Sequence, residues 1–438
     1  MNNLEDFNSA SSNDIESQKE DKSESYKEES TSDFLQSHLF DFETPQDQNL
    51  FGVFVLLINT AIGSGCLMIP YTYKLGIFSG LLMSFIIGIL IFSTLTMMIE
   101  AAYVTHKYDF KGLFAHVFSP KYLWILHLII FLLQIGSVMI YSNWCGILVN
   151  RTLGLKIKVL NSNIFWNFVC TLCLSFPLTI PKSIAKLEVV ASVGFILIFL
   201  LICHSVYWFI KDLKAYGFDP NKQFKWLNWD TYIFIPSLGI ITLAYNYIIN
   251  LFPTLEHLKN CTIKRAYTLN GTVLVTCFIL YAILGICTYL DKFDVLQASS
   301  ALELYPASNP FTIVATVCVV FILIISSPLF IWAARNSIDA IIFKDKEMTT
   351  LRWVLTGFIL MVISAGLAAT SSNIIIFFNI VGGLFIPVVA LILPALFFLR
   401  VTPGRKWYRT VQAVISMVYA IAVIVSCTWQ TVMEIKGN

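Results

Sequence analysis

An asparagine, a threonine, two glycines around a serine and then a proline interrupt the first long apolar run of this chain. They fall in Asn59-Thr60-Ala61-Ile62-Gly63-Ser64-Gly65, followed by Pro70. Each glycine weakens a helix interior by roughly 1 kcal/mol relative to alanine, and proline removes a backbone donor. Backbone that leaves the helix inside a bilayer must be buried in protein or line a polar cavity, because lipid gives its N–H and C=O groups no partner. Small residues at this spacing also suit a close helix–helix seam. Asn59 and Thr60, one turn ahead of the glycines, favour a binding site. There a freed helix N-terminus meets a carboxylate and freed carbonyls hold a cation.

A second interrupted run carries Pro236 and Pro253 near its ends and Tyr245-Asn246-Tyr247 between them. It is either the partner of the first break or a proline-kinked helix. In the third run Gln134, Ser137 and Tyr141 stand at i, i+3 and i+7, one face of a helix, with Ser142 beside them. A polar face inside a membrane turns to protein or to a cavity, so it serves as helix–helix glue or as substrate contact. Ser326 and Ser327 precede Pro328. Their hydroxyls either re-satisfy carbonyls that the proline frees, or act as hard oxygen ligands for a cation. Glu100, Glu188, Glu256 and Asp339 all fall near span ends. The span centres therefore offer carbonyls, hydroxyls and amides, which suit Na⁺ or a zwitterion bringing its own carboxylate better than a proton relay. His127 and His204 read as packing residues.

Long apolar elements must position these groups. The chain has 438 residues, 57% hydrophobic and 13% charged, against about 25% charged in soluble domains. Continuous apolar runs near 20 residues are helix-length for a bilayer. They lie at about 50–73, 77–105, 120–149, 163–181, 187–210, 231–253, 266–290, 309–342, 349–370, 373–399 and 407–432. The expectation is an all-α polytopic membrane protein with eleven transmembrane helices, forming one domain over 50–432. Residues 1–49 hold thirteen Asp/Glu against three Lys, a charge of about −10, with few aromatics. Such a segment buries too little apolar surface to order itself, so it reads as a disordered cytosolic tail. With that tail inside, sixteen Lys/Arg fall in cytosolic loops and ten in the opposite ones, as positive-inside topology requires. Asn150-Arg151-Thr152 is a sequon set against a helix end, where no glycan is expected. Cys170 and Cys173 form a lone CxxC within a span, without the second pair that a zinc site needs. No phosphate loop or catalytic triad stands out, so an enzyme is not expected, nor a nucleic-acid partner. Oligomeric state is not legible.

These residues carry a resemblance. Asn59–Gly76 resembles the first-helix signature of the amino acid/auxin permease family, above all its sodium-coupled neutral amino acid transporters. Gln134–Trp144 is similar to their third helix, and Phe176–Phe195 to their fourth-to-fifth connection. Phe252–Asn260 resembles the end of their sixth, Ser326–Ile338 their eighth and Val381–Leu399 their tenth. The resemblance implies a LeuT-type fold, a 5+5 inverted repeat with discontinuous helices 1 and 6 and an eleventh helix. It implies secondary active symport of small neutral amino acids, coupled to Na⁺ and needing no other cofactor. Na⁺ would sit at Asn59, at carbonyls around Ile62, and at Ser326, where relatives carry a threonine. The amino acid would sit against Ile62, Gly63, Ser64 and Gly65 and against Ala244, Tyr245, Asn246 and Tyr247, with Tyr141 nearby. Ala333 and the Tyr-Asn-Tyr break depart from the family pattern, so a proton-coupled relative and an amino-acid-sensing transceptor stay open. The membrane is the plasma membrane or an endolysosomal or vacuolar one.

Overall fold

The computed structural model describes residues 40, 48–63, 65–154, 160–181, 185–217, 225–292, 301–344, 348–371 and 373–437. Most of the acidic tail and Ser64 lie outside the described residues. Among the described residues the regular elements are helices, with one isolated bridge between Gln48 and Leu258.

In chain order the helices are α1 (Leu50–Ala61), α2 (Gly65–Thr72), α3 (Ile77–Thr105), α4 (Phe110–Phe118), α5 (Leu123–Leu153) and α6 (Asn163–Leu178). There follow α7 (Ala185–Tyr216), α8 (Thr231–Ala244), α9 (Ile248–Leu255), α10 (Ile263–Lys292), α11 (Pro310–Ile342), α12 (Thr350–Ala368), α13 (Ile374–Val401) and α14 (Trp407–Gly437). Each of the eleven apolar runs thus carries helix. Among the described residues eight helical stretches are long and apolar enough to cross a bilayer, with α8 and α9 taken together as one of them, or nine when the bent pair α1–α2 also counts as one. The run at 163–181 forms the shorter α6 and that at 187–210 forms α7; neither is among the eight.

Capping sets many of the boundaries. Asp109, Asp230, Asn309, Thr349 and Asn373 each accept from a first-turn N–H of the helix they open, satisfying donors that have no partner inside the helix. α6 and α13 pass through π-helical turns at Val169–Ser175, Asn379–Phe385 and Val388–Ile392, each close to a proline at 177, 387 or 394. Proline lacks the N–H that would close the α-helical bond, so the register slips locally. Cys170 is buried on the α6 π-turn and Cys173 is exposed, both as free thiols.

α5 packs along α11, and α7 along both α11 and α10. α2 packs against both α8 and α10, α3 against α10, and α13 against α8. The packed part of the chain begins ahead of residue 50. Phe40 is buried between Tyr103 and Tyr108, and its N–H donates to the Cys261 carbonyl at 2.9 Å. Of the acids expected near span ends, Glu100 and Asp339 are ion-paired, with Arg409 and Arg352, and the Glu188 side chain lies outside the described residues. Glu100 accepts from Arg409 and from the Tyr267 hydroxyl. Arg335 is fully buried, stacked 3.8 Å from the Trp353 ring and donating to the Thr179 carbonyl. His204 packs edge-on to Tyr305 and bonds Thr312 at 3.0 Å.

Helix α10 comes close to α2 because Gly285 leaves a slot for the Tyr73 ring, which also rests on Gly80. A Cβ at Gly285 would collide with that ring. Gly285→Ala is expected to lower unfolding stability by about 1–3 kcal/mol, the ordinary cost of overpacking a filled core. Thermal unfolding of purified protein in detergent measures it; an unchanged midpoint would show that the slot has slack.

Candidate functional site

Helices α1 and α2 are bent by 64° where they part. The Ile62 N–H caps α1 by bonding the Ile58 carbonyl at 2.9 Å, and the Gly63 N–H bonds the Ala61 carbonyl at 3.0 Å. Past the break, the Cys66 N–H reaches the Gly63 carbonyl at 3.2 Å. The second interruption falls at Tyr245-Asn246-Tyr247. α8 ends at Ala244, α9 begins at Ile248, and the Asn246 N–H turns back to the Leu243 carbonyl at 3.1 Å. It is therefore a true break and not only a proline kink, since Pro236 and Pro253 both lie inside helix.

The two breaks face one another. A Cβ at Gly65 would stand 2.7 Å from the Ala244 Cα, so the start of α2 rests directly on the end of α8. One side chain ties both. The Tyr281 hydroxyl, from α10, lies 2.7 Å from the Ala244 carbonyl and 3.3 Å from the Ala61 carbonyl. These are the last residues of α8 and α1, where carbonyls lack helical partners. Nothing in the local sequence around Tyr281 marks this role, because it depends on α10 packing between two breaks.

Between the broken ends lies a cavity of about 60 Å³, room for a few waters at roughly 10–15 Å³ of such volume each. Gly63, Gly65, Asn246, Tyr247 and Asn250 line one side, and Gln134, Ser137 and Tyr141 of α5 the other. The polar face of α5 thus turns to the cavity, with Tyr141 edge-on to Phe330 at 5.1 Å. Ser137 also spends its proton on the Leu133 carbonyl at 2.9 Å, so it serves as both lining and helix glue. The Asn246 Oδ1 is buried and has no hydrogen-bond partner among the described residues.

The other expected site residues are distributed differently. Tyr245 turns to α3, its hydroxyl 2.8 Å from Ser84. Tyr247 bonds Asn270 of α10 with its hydroxyl while its body lines the cavity. Ala244 contributes its carbonyl to Tyr281 and does not line the cavity. Asn59, Ile62 and Ser326 are also outside the lining; Ile62 is buried, and Asn59 and Ser326 are half-buried. Ser327 is buried and bonds the Leu323 carbonyl at 2.7 Å, as expected of a hydroxyl ahead of a proline. Thr60, expected beside the first break, also lines the cavity, and Asn250 and Phe330 are among the lining residues not singled out in the sequence.

A many-helix bundle in which two interrupted helices meet around a polar cavity has the architecture of a membrane transporter, not of an enzyme. The model of the family described as transmembrane amino acid transporter protein matches residues 48–435, and the chain belongs to that family, the amino acid/auxin permeases. It is an integral multi-pass membrane protein. The chain is 20% identical over 416 residues to vacuolar amino acid transporter 2 of Saccharomyces cerevisiae, covering 90% of this chain and 85% of that one. It is 23% identical over 359 residues to vacuolar amino acid transporter 3 of Schizosaccharomyces pombe, covering 78% of this chain and spanning about half, 52%, of that longer relative.

Proposed function

We propose that the chain is a secondary active amino acid transporter that binds its substrate between the two breaks and works by alternating access. Its eleven helical runs would then all cross the bilayer, as a 5+5 inverted repeat plus one, with one bundle rocking about the cavity. The observation that carries the reading is the convergence of four helix ends with an unpaired Asn246 carboxamide oxygen beside one small cavity. The N-termini of α2 and α9 carry partial positive charge and the C-termini of α1 and α8 partial negative charge. A zwitterion places its carboxylate on the first pair and its ammonium on the second. The Asn246 oxygen is an acceptor for that ammonium. The small volume favours small neutral side chains.

For the coupling ion we favour Na⁺, held beside the cavity by Asn59, the Ile62 carbonyl and Ser326, because the described polar groups that line the cavity are amides, hydroxyls and backbone, with no carboxylate among them. Ser326→Ala is expected to raise the Na⁺ concentration for half-maximal uptake about tenfold, the loss of one oxygen to a charged group. Uptake into proteoliposomes across a Na⁺ series measures this; an unaltered Na⁺ curve removes Ser326 from the site. A proton-coupled reading is favoured by a different observation: both relatives carry the word vacuolar in their names. On that reading uptake follows a pH gradient and continues unchanged when choline replaces Na⁺. The same names support a vacuolar-type membrane for this chain. A panel of amino acids, run with and without Na⁺ and across pH, tests the whole assignment. Binding without net flux would point instead to a transceptor.

A further inference from the structure

A second and larger cavity, of about 380 Å³, lies apart from the first, between the end of α5, the start of α6 and the end of α12. Its walls are amide-rich. Asn143 and Asn150 come from α5, Asn161, Asn163 and Asn167 from the entry to α6, and Ala368, Ala369 and Ser371 from the end of α12. No charged side chain is among them. On α5 the pattern Asn143, Ile147, Asn150 is i, i+4, i+7, one helical face turned to the cavity.

Part of this amide cluster has a structural duty. Asn143 Nδ2 donates to the Ala368 carbonyl and Asn167 Nδ2 to the Ala365 carbonyl, each at 3.0 Å. The first satisfies a carbonyl that the end of α12 leaves without a helical partner, and the second adds to the bond that the Ala365 carbonyl already accepts from the Ala369 N–H. Asn150 Nδ2 donates to Asn163 Oδ1 at 2.8 Å, which also occupies the amide nitrogen of the sequon. These donations fix the orientation of both α5 amides and leave their oxygens over. Asn143 Oδ1 and Asn150 Oδ1 are buried without a partner among the described residues, and Asn143 as a whole is only 8% exposed. A buried acceptor without a donor is unfavourable. The last turns of α5 and α12 add the negative ends of two helix dipoles. An uncharged wall with surplus acceptors and two such ends calls for a donor of single positive charge, small enough for the cavity.

We propose that this amide-lined cavity is a second binding site, for the primary ammonium group of a small organic molecule, with Asn143 and Asn150 as its acceptors. It goes beyond the transport site and does not depend on it. Asn143 stands two residues from Tyr141 on the same helix, so occupancy of the second cavity bears on the helix that lines the first. An amino acid and a simple amine both carry the recognised group.

Equilibrium binding of tritiated alanine and tritiated ethanolamine to the purified full-length chain tests this, with tritiated lactate as the probe lacking nitrogen. Two variants report on the site. Ile147→Trp fills the cavity and removes none of the amide hydrogen bonds, and Asn150→Ala deletes one acceptor. Both are measured in the Gly65→Leu background, where the first cavity is blocked. Saturable binding is expected there, lost in Ile147→Trp and weakened about tenfold in Asn150→Ala. Binding of alanine alone identifies an amino acid site, and binding of both probes an amine site. Equal binding of lactate, no saturable binding, or binding that both variants leave unchanged overturns the proposal. Wild-type uptake into proteoliposomes is read separately, so failure of the transport assignment and failure of this site give different results.

Discussion

Gly65→Leu is expected to reduce amino acid uptake by about a hundredfold or more in a chain that still inserts and folds. The start of α2 lies so close to α8 that even a Cβ at Gly65 would stand 2.7 Å from the Ala244 Cα and 2.9 Å from its Cβ. Both neighbours belong to the end of a helix, so they cannot swing aside as a flexible side chain would. Overpacking of this kind costs about 1–3 kcal/mol for small insertions, and a leucine adds three further carbons beside the cavity that Gly65 lines. The break must therefore separate, carrying the α2 N-terminus away from the substrate carboxylate. Initial rates in proteoliposomes, normalised to folded protein by gel filtration, measure the effect. Wild-type rates in a correctly folded variant would move the substrate site away from this break. Gly63 makes the internal comparison. A Cβ there would stand 2.7 Å from the Tyr141 hydroxyl, the far end of a side chain that can rotate. Gly63→Ala should accordingly cost much less than Gly65→Leu.

Tyr281→Phe should reduce uptake about tenfold to a hundredfold while leaving the amount of inserted protein close to wild type. The ring and its packing survive, and only the hydroxyl that holds the Ala244 and Ala61 carbonyls is lost. Leaving the buried Ala244 carbonyl unpaired costs about 1–3 kcal/mol, roughly tenfold for each 1.4 kcal/mol, while the Ala61 carbonyl keeps its bond from the Gly63 N–H. That cost falls on the relative placement of α1 and α8, the two elements whose C-terminal ends are proposed to hold the ammonium. The readout is the initial rate at saturating amino acid together with the thermal midpoint. A fall in midpoint with an unchanged rate would make Tyr281 a support of the fold alone.

Much of this molecule is written in local sequence. A run near 20 apolar residues is helical because the backbone must bond to itself once lipid is the solvent. Each of the eleven runs carries helix for that reason, whatever surrounds it. Breaks are equally local. Two glycines after Asn59 and the Tyr245-Asn246-Tyr247 interruption act within a turn or two, and the helices part at both places. The face formed by Gln134, Ser137 and Tyr141 follows from a period of 3.6 residues, and all three side chains line one cavity.

Only the tertiary structure decides what each face and each broken end meets. Tyr245 and Tyr247 are two residues apart, yet their hydroxyls are taken by Ser84 of α3 and Asn270 of α10. The oxygen left unpaired beside the cavity is that of Asn246. Ser326 has the right chemistry for a cation, but helical period alone cannot say how far α11 stands from the first break, and Ser326 is absent from the cavity wall. Tyr281 and the amides of the second cavity could not be seen in advance for the same reason. Their partners lie 37 and 220 residues away for Tyr281 and 225 for Asn143. Helix formation is decided by neighbours in sequence; the pairing of helix ends is decided by which packed surfaces fit, and that is settled across the whole chain.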